Sequence, residues 1–226
     1  MKRRIVIGDV HGYFITLCRL LDLVNPTNDD EIYFVGDLID RGKGSPEVVE
    51  LVRTTSNFHS VQGNHEWMMI EAGKKKKKYY CNRTRDQYCY KHPELWDIHL
   101  AFMQQLPLYI DLGDYFICHA GLDPAKTFEQ QEPDDFRRIR QPFHSINTPY
   151  FDDKQVVIGH TITSTFSKVK PGNVASGRGW WDIDTSAYAT GWLTGLDLDN
   201  QVVYQVNAKS NKWRIVDLVD VVTKIK

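Results

Sequence analysis

Cysteine is scarce in this chain, and so are long apolar runs and any surplus of one charge. The four cysteines, Cys18, Cys81, Cys89 and Cys118, form no Cys-x-x-Cys pair, so neither a zinc ribbon nor a dithiol redox motif is indicated. A cytoplasmic protein with reduced thiols is expected, with a Cys81–Cys89 pair as the alternative in an oxidising compartment. Cys18 falls on an apolar helical face and Cys118 inside a strand, where thiols are ordinarily buried and inert. After Met1-Lys2-Arg3-Arg4 only Ile5 to Ile7 are apolar before Gly8, too short a run for a signal peptide or a membrane span. With 28 Lys and Arg against 29 Asp and Glu, no stable nucleic-acid or membrane partner is expected. Any affinity for anions must be local.

What the chain does hold is 226 residues, 42% hydrophobic and 12% aromatic, enough to bury a large core. One domain over residues 1–226 is expected, and monomer is the default state. Ile5 to Ile7, Ile32 to Val35 and Phe58 to Val61 are short β-branched or apolar runs. Between them, Leu17, Leu20, Leu21 and Val24 have helical spacing, and Pro46 opens a second helix carrying Val48, Val49 and Val52. Strands alternating with helices predict an α/β fold with parallel pairing at its centre. A helix is expected over Trp67 to Ala72, and another from Pro93 to Gln105. Leu108 to Leu112 and Tyr115 to Cys118 predict a hairpin turning at Gly113-Asp114. Val156 to Ile158 is a further strand. The tail from Asp182 to Val222 alternates like strands, with turns expected at Gly191, Gly195 and Asp199-Asn200. Residues 73–98 read as a lid or insert. Its Lys74 to Lys78 run is either a solvated charged stretch or a basic flap that recruits anionic substrate.

The chemistry sits where those runs end. Gly8-Asp9-Val10-His11-Gly12, Gly36-Asp37-Leu38-Ile39-Asp40-Arg41-Gly42, Gly63-Asn64-His65-Glu66, Cys118-His119-Ala120-Gly121 and Gly159-His160-Thr161 each follow a predicted strand. Open α/β sheets hold their ligands at the carboxyl ends of strands. Two hard cations roughly 3.5 to 4 Å apart need carboxylates, neutral imidazoles and one carboxylate that bridges. Asp9 and His11 can face one ion, Asp37 can bridge, and Asn64, His119 and His160 can complete the second shell. A lone Asp-x-His or Gly-His is common chance sequence, but five such runs in order are not.

These motifs resemble those of the phosphoprotein phosphatases, within the binuclear calcineurin-like metallophosphoesterase superfamily. The compact length and Ile183-Asp184-Thr185 are similar to the bacterial and phage branch. The resemblance implies a β-sandwich of mixed sheets flanked by helices. It implies a serine/threonine protein phosphatase, with possible activity on phosphotyrosine, acting on a phosphorylated protein or peptide. Two divalent ions are implied, manganese first, with iron or zinc also accepted by such donors. Asp9, His11 and Asp37 would hold the first, and Asp37, Asn64, His119 and His160 the second. A hydroxide between the metals would attack phosphorus directly. His65 becomes the general acid, oriented and kept protonated by Asp40. Arg41 becomes a phosphate clamp, and Asn64 and His65 also face the phosphate. Arg138-Ile139-Arg140-Gln141-Pro142-Phe143 matches the branch's second arginine motif except for its Trp, which points to Arg140 over Arg137 and Arg138.

Ser186 stands where the branch usually has glycine, so the local turn must adapt. The nearest rival function is a dinucleoside polyphosphate hydrolase, whose motifs commonly carry Asn where Asp40 stands and Asp where Glu66 stands. A metal-dependent binding module without catalysis is weaker, because the acid, both metal sets and Arg41 are all present. Trp67, Trp96, Trp180 and Trp181 read as packing, and His59, His92, His99 and His144 lack the glycine-flanked context of the proposed ligands.

Overall fold

The computed structural model describes residues 2–74 and 82–225. The chain opens with β1 (Arg4–Ile7), α1 (Phe14–Val24), β2 (Glu31–Phe34), α2 (Ser45–Thr54), β3 (Phe58–Ser60) and α3 (Asn64–Lys74). Next come α4 (Asn82–Tyr90), α5 (Trp96–Gln105), β4 (Tyr109–Asp111) and β5 (Tyr115–Cys118), then α6 (Pro133–Arg138), α7 (Gln141–His144) and β6 (Gln155–Ile158). The remainder is β7 (Val174–Gly177), β8 (Trp180–Asp182), β9 (Trp192–Asp197), β10 (Val202–Asn207), β11 (Trp213–Asp217), α8 (Leu218–Val221) and β12 (Val222–Lys224).

The strands form two mixed six-stranded sheets, ordered β11-β10-β9-β1-β2-β3 and β12-β7-β8-β6-β5-β4. As expected, β1, β2 and β3 pair in parallel, and β4 and β5 form the antiparallel hairpin turning at Gly113. The pleat divides each buried run between two cores. Ile5 and Ile7 face the helices, where Leu17, Leu20, Val48, Val49 and Val52 meet them, while Val6 faces the opposite sheet with Ile117, Val157 and Leu196. In the second sheet Phe116, Val156 and Ile158 turn outward to a third cluster with Phe136, Phe143 and Trp180. Each such side chain contributes about 1.5–3 kcal/mol on full burial, so the carboxyl ends of β1, β2, β5 and β6 are held by core on both faces.

Three expectations are corrected. Gly195 is not a turn but the middle of β9, paired with Ile7 and Tyr204; the chain turns at Gly191 and at Asp199-Asn200 instead. The helix expected from Trp67 begins at Asn64, because its first turn finds distant acceptors: the His65 amide donates to Asp37 Oδ1 at 3.0 Å. Cys18 is only half-buried, and Cys118 is buried as expected. In the stretch read as a lid or insert, Tyr88 is buried with its hydroxyl 2.9 Å from His99 Nδ1. Lys75 to Lys78, Tyr79, Tyr80 and Cys81 lie outside the described residues; Lys74 sits over the Trp67 ring, 3.6 Å from Glu71. Cys89 is an exposed free thiol.

The first strand is fastened by one acid. Asp30 is buried and accepts from the Arg3 amide, Nε and Nη2 at 2.9, 3.2 and 2.7 Å and from the Thr27 amide at 2.7 Å. The Arg3 guanidinium above all, against the cost of burial, holds the Asp30 carboxyl well below the usual carboxylate range. Its contribution is therefore present above about pH 4 and lost as pH falls through the depressed value. Asp30→Asn is expected to lower unfolding free energy by about 2–3 kcal/mol at pH 7 and by less near pH 2, read from urea midpoints. Equal midpoints at pH 7 would show that the pair is dispensable.

Candidate active site

Asp9 leaves β1, Asp37 leaves β2, Asn64 opens α3 just beyond β3, and His119 and His160 leave β5 and β6. The parallel order of these strands brings all five to one end of the sandwich. Asp37 lies at the centre. Its Oδ2 is 3.6 Å from His11 Nε2 and 3.7 Å from His65 Nε2, and its Oδ1 is 3.4 Å from His119 Nε2. Two groups of donors gather within 4.8 Å, His11 with Asp37 and His65, and Asp37 with His119 and His160, so Asp37 belongs to both. Asp9 lies next to these groups, its carboxylate accepting from the His160 amide, 3.2 Å to each oxygen, and His65 Nε2 comes into the first group beside His11.

The site's backbone is tight. His11, Asp37, Asp40, Arg41 and His160 all have φ between 49° and 76°, in the left-handed region. A Cβ on Gly63 would collide with Asp37 Oδ1, and one on Gly159 with Asp9 Oδ1. Glu66 holds two of the loops together: its carboxylate accepts from the amides of Asp37, Leu38 and Gly63, each at 2.9 Å. Burial first, then the Asp37 charge, push the Glu66 carboxyl up to about 7.

The donor set fits divalent cations. His11 Nδ1 lies 2.9 Å from the Ile39 carbonyl and His119 Nδ1 2.7 Å from the Val35 carbonyl, so the Nδ1–H donates there and each Nε2 keeps its lone pair. His119 Nε2 then faces Asp37 Oδ1 and, at 3.0 Å, Asn64 Oδ1. Three acceptors converging on one point repel unless a cation lies among them. Burial keeps His11, His119 and His160 neutral, lowering each below the ordinary imidazole value, His11 to about 4. Asp9, Asp37, Asp182 and Asp184 are all buried in one another's field. Burial and then Asp37 raise Asp184 to about 7, against the opposing pull of the Ser186 amide and the Arg140 charge.

His65 differs from the other imidazoles. Its Nδ1 lies 2.5 Å from Asp40 Oδ2, and although burial opposes it, Asp37 and Asp40 together raise it above the ordinary value. Arg41 lays its guanidinium 5.1 Å over the Tyr188 ring, which also meets the His11 ring edge-on at 5.3 Å. Arg140 donates from Nη1 to Thr161 Oγ1 at 2.9 Å, beside His160. Arg137 is buried against Trp67 and donates to Gln62, and Arg138 is exposed near Asp134, so Arg140 alone of the three reaches the site.

The calcineurin-like phosphoesterase family profile matches residues 2–199. The chain belongs to that family. A serine/threonine-protein phosphatase of Caenorhabditis elegans is 33% identical over 146 residues, 62% of this chain and 30% of that protein. A symmetrical bis(5'-nucleosyl)-tetraphosphatase of Vibrio campbellii is 31% identical over 123 residues, 53% of this chain and 44% of that one. The chain thus spans less than half the length of these curated relatives. Among solved structures, one proposed to be a diadenosine tetraphosphatase has TM-score 0.71 at 21% identity, covering 92% of this chain and 95% of its own. A metallophosphoesterase from Sphaerobacter thermophilus has TM-score 0.59 at 23% identity, covering 97% and 91%. The calcineurin-like phosphoesterase fold is therefore the fold of this chain, with the two mixed sheets and flanking helices described above. Among the described residues no helix is long and apolar enough to cross a membrane.

Asp182, Asp184, Tyr188 and the clamp made by Glu66 were missed as site residues by sequence reading. Asp184 carried a signal, lying in the Ile183-Asp184-Thr185 run; Tyr188 carried none. Ser186 takes φ 63°, which explains the usual glycine there, and its amide donates to Asp184 Oδ1 at 3.0 Å.

Proposed function

We propose that this chain is a metal-dependent phosphatase that hydrolyses phosphoserine or phosphothreonine in proteins and peptides, with phosphotyrosine as a secondary substrate. The observation that carries the reading is the His65–Asp40 pair at 2.5 Å, with His65 Nε2 facing the Asp37 carboxylate. A serine alkoxide is a strongly basic leaving group and needs a proton as it departs, whereas a nucleotide phosphate does not, its own pKa lying at about 6. Asp40 and Glu66, at positions where dinucleoside polyphosphate hydrolases commonly differ, favour the same reading.

Two divalent cations, manganese by preference, supply Lewis acidity when bound and lower the pKa of a water toward neutrality. Asp37, with His11 and Asp9 on one side and Asn64, His119 and His160 on the other, would hold them. Arg41, steadied on Tyr188, and Arg140, steadied by Thr161, bind and orient the phosphate oxygens. His65 Nε2 gives its proton to the leaving oxygen. Asp40 accepts from Nδ1–H throughout and keeps the ring aimed. The chain acts in this reading as a single domain in the cytoplasm.

A second reading, hydrolysis of dinucleoside polyphosphates, is favoured by the Vibrio relative and the structure at TM-score 0.71. Turnover of a phosphoserine peptide, a phosphotyrosine peptide and diadenosine tetraphosphate with added manganese separates the two. The phosphoserine peptide is expected to give the highest kcat/KM. Preference for the tetraphosphate by tenfold or more would replace the first reading by the second.

A further inference from the structure

A basic cleft opens beside the phosphate clamp. One part, about 370 Å³, is lined by Gly12, Phe14, Ile15, Gly42, Lys43 and Arg83, and a second part, about 510 Å³, continues past Lys43 and Arg83 to Tyr90 and Lys91. The cleft starts one residue from His11 and one from Arg41, whose loops are tied together by the Gly42 amide donating to the His11 carbonyl at 2.8 Å. Arg83 Nη1 donates to the Arg41 carbonyl at 2.5 Å, so its positive charge stands directly behind the clamp.

The cations in this cleft lack acidic partners. Arg3, Arg4, Arg53, Lys126 and Lys154 each pair with a carboxylate within 2.8 Å. Among the described residues, Lys43, Arg83 and Lys91 have no carboxylate within 4.0 Å. Of the two acids in the lining, Asp86 pairs with Arg85 at 2.8 Å, and Glu47 has one oxygen 3.6 Å from His92 and the other buried away from the cleft's solvent. Three unpaired cations at the mouth of a phosphate site raise the local concentration of anions and reward negative charge next to the phosphate. Phe14 and the exposed Ile15 and Tyr90 offer apolar walls on which a peptide chain can lie.

We infer that this cleft receives acidic side chains flanking the phosphorylated residue, with Lys43 and Arg83 as the specificity-determining contacts. The inference rests on the phosphoprotein reading above. It makes acidic phosphoserine sites, rather than phosphoserine in general, the preferred substrate class.

The test compares two phosphoserine peptides, one with aspartates on both sides and one with alanines, using wild type, Lys43→Ala, Arg83→Ala and Arg83→Lys, with p-nitrophenyl phosphate and diadenosine tetraphosphate alongside. Wild type is expected to favour the acidic peptide about 3- to 10-fold in kcat/KM at low salt, mainly through KM. Lys43→Ala and Arg83→Ala are expected to remove most of that ratio, leaving the alanine peptide and p-nitrophenyl phosphate unchanged, and Arg83→Lys to retain it. A wild-type ratio near one, with both peptides hydrolysed, overturns the cleft assignment and leaves the phosphatase reading standing. A parallel fall in p-nitrophenyl phosphate turnover in the variants also overturns it, because Arg83 would then act through the Arg41 backbone. Hydrolysis of the tetraphosphate but of neither peptide removes both the reading and the inference.

Discussion

His65→Asn is expected to lower kcat for a phosphoserine peptide by about 10²- to 10⁴-fold while leaving p-nitrophenyl phosphate turnover much less affected. The asymmetry follows from the leaving groups: nitrophenolate departs without a proton, and a serine alkoxide does not. Metal content should stay the same, since the variant retains Asp37, His11, Asn64, His119 and His160. The pH profile gives a second readout. Asp37 and Asp40 raise His65 above the ordinary imidazole value against the opposing effect of burial. The acid form is therefore complete below that raised pKa, and kcat for the peptide declines as pH rises through it. In the variant that alkaline decline should vanish. An unchanged peptide rate would remove His65 as the acid.

Asp37→Asn has the larger expected effect on metal retention. Asp37 is shared by both donor groups, and its Oδ1 also accepts from the His65 amide at 3.0 Å. Asparagine preserves shape and a carbonyl oxygen but removes the charge and the second carboxylate oxygen. Activity on any phosphoester should fall by about 10³-fold or more, equivalent to about 4 kcal/mol at the transition state. Manganese bound per chain, measured after gel filtration, should fall from two toward one or none. Full metal occupancy with normal turnover would mean that Asp37 bridges nothing.

Much of this site could be read from residue order because each motif is local and each follows a strand. Asp9, Asp37, His119 and His160 needed only the rule that parallel strands deliver their carboxyl ends to one edge. What escaped reading depends on partners remote in sequence. The early start of α3 is made possible by a carboxylate 28 residues away, and the burial of Arg137 by Trp67 and Gln62, whereas Arg140 itself was pointed to by its motif. Asp182 and Tyr188 reach the site through β8 and the loop after it, and no spacing within that stretch announces them. Gly195 misled because glycine ordinarily marks a turn or a break in a strand, whereas here it is paired on both sides, with Ile7 and Tyr204, inside β9.

Five non-glycine residues around Asp37 sit in left-handed backbone, a conformation costing an L-residue about 1–2 kcal/mol each. Together that approaches the whole net stability of an ordinary domain. Which replacements are tolerated at these positions is thus decided by the peptide geometry as much as by chemistry: asparagine and glycine are admissible, valine and isoleucine are not. A library at positions 11, 37, 40, 41 and 160 should yield inactive but thermally sturdier clones rich in glycine and asparagine. Inactivity in a β-branched clone there would report a broken loop rather than a lost ligand.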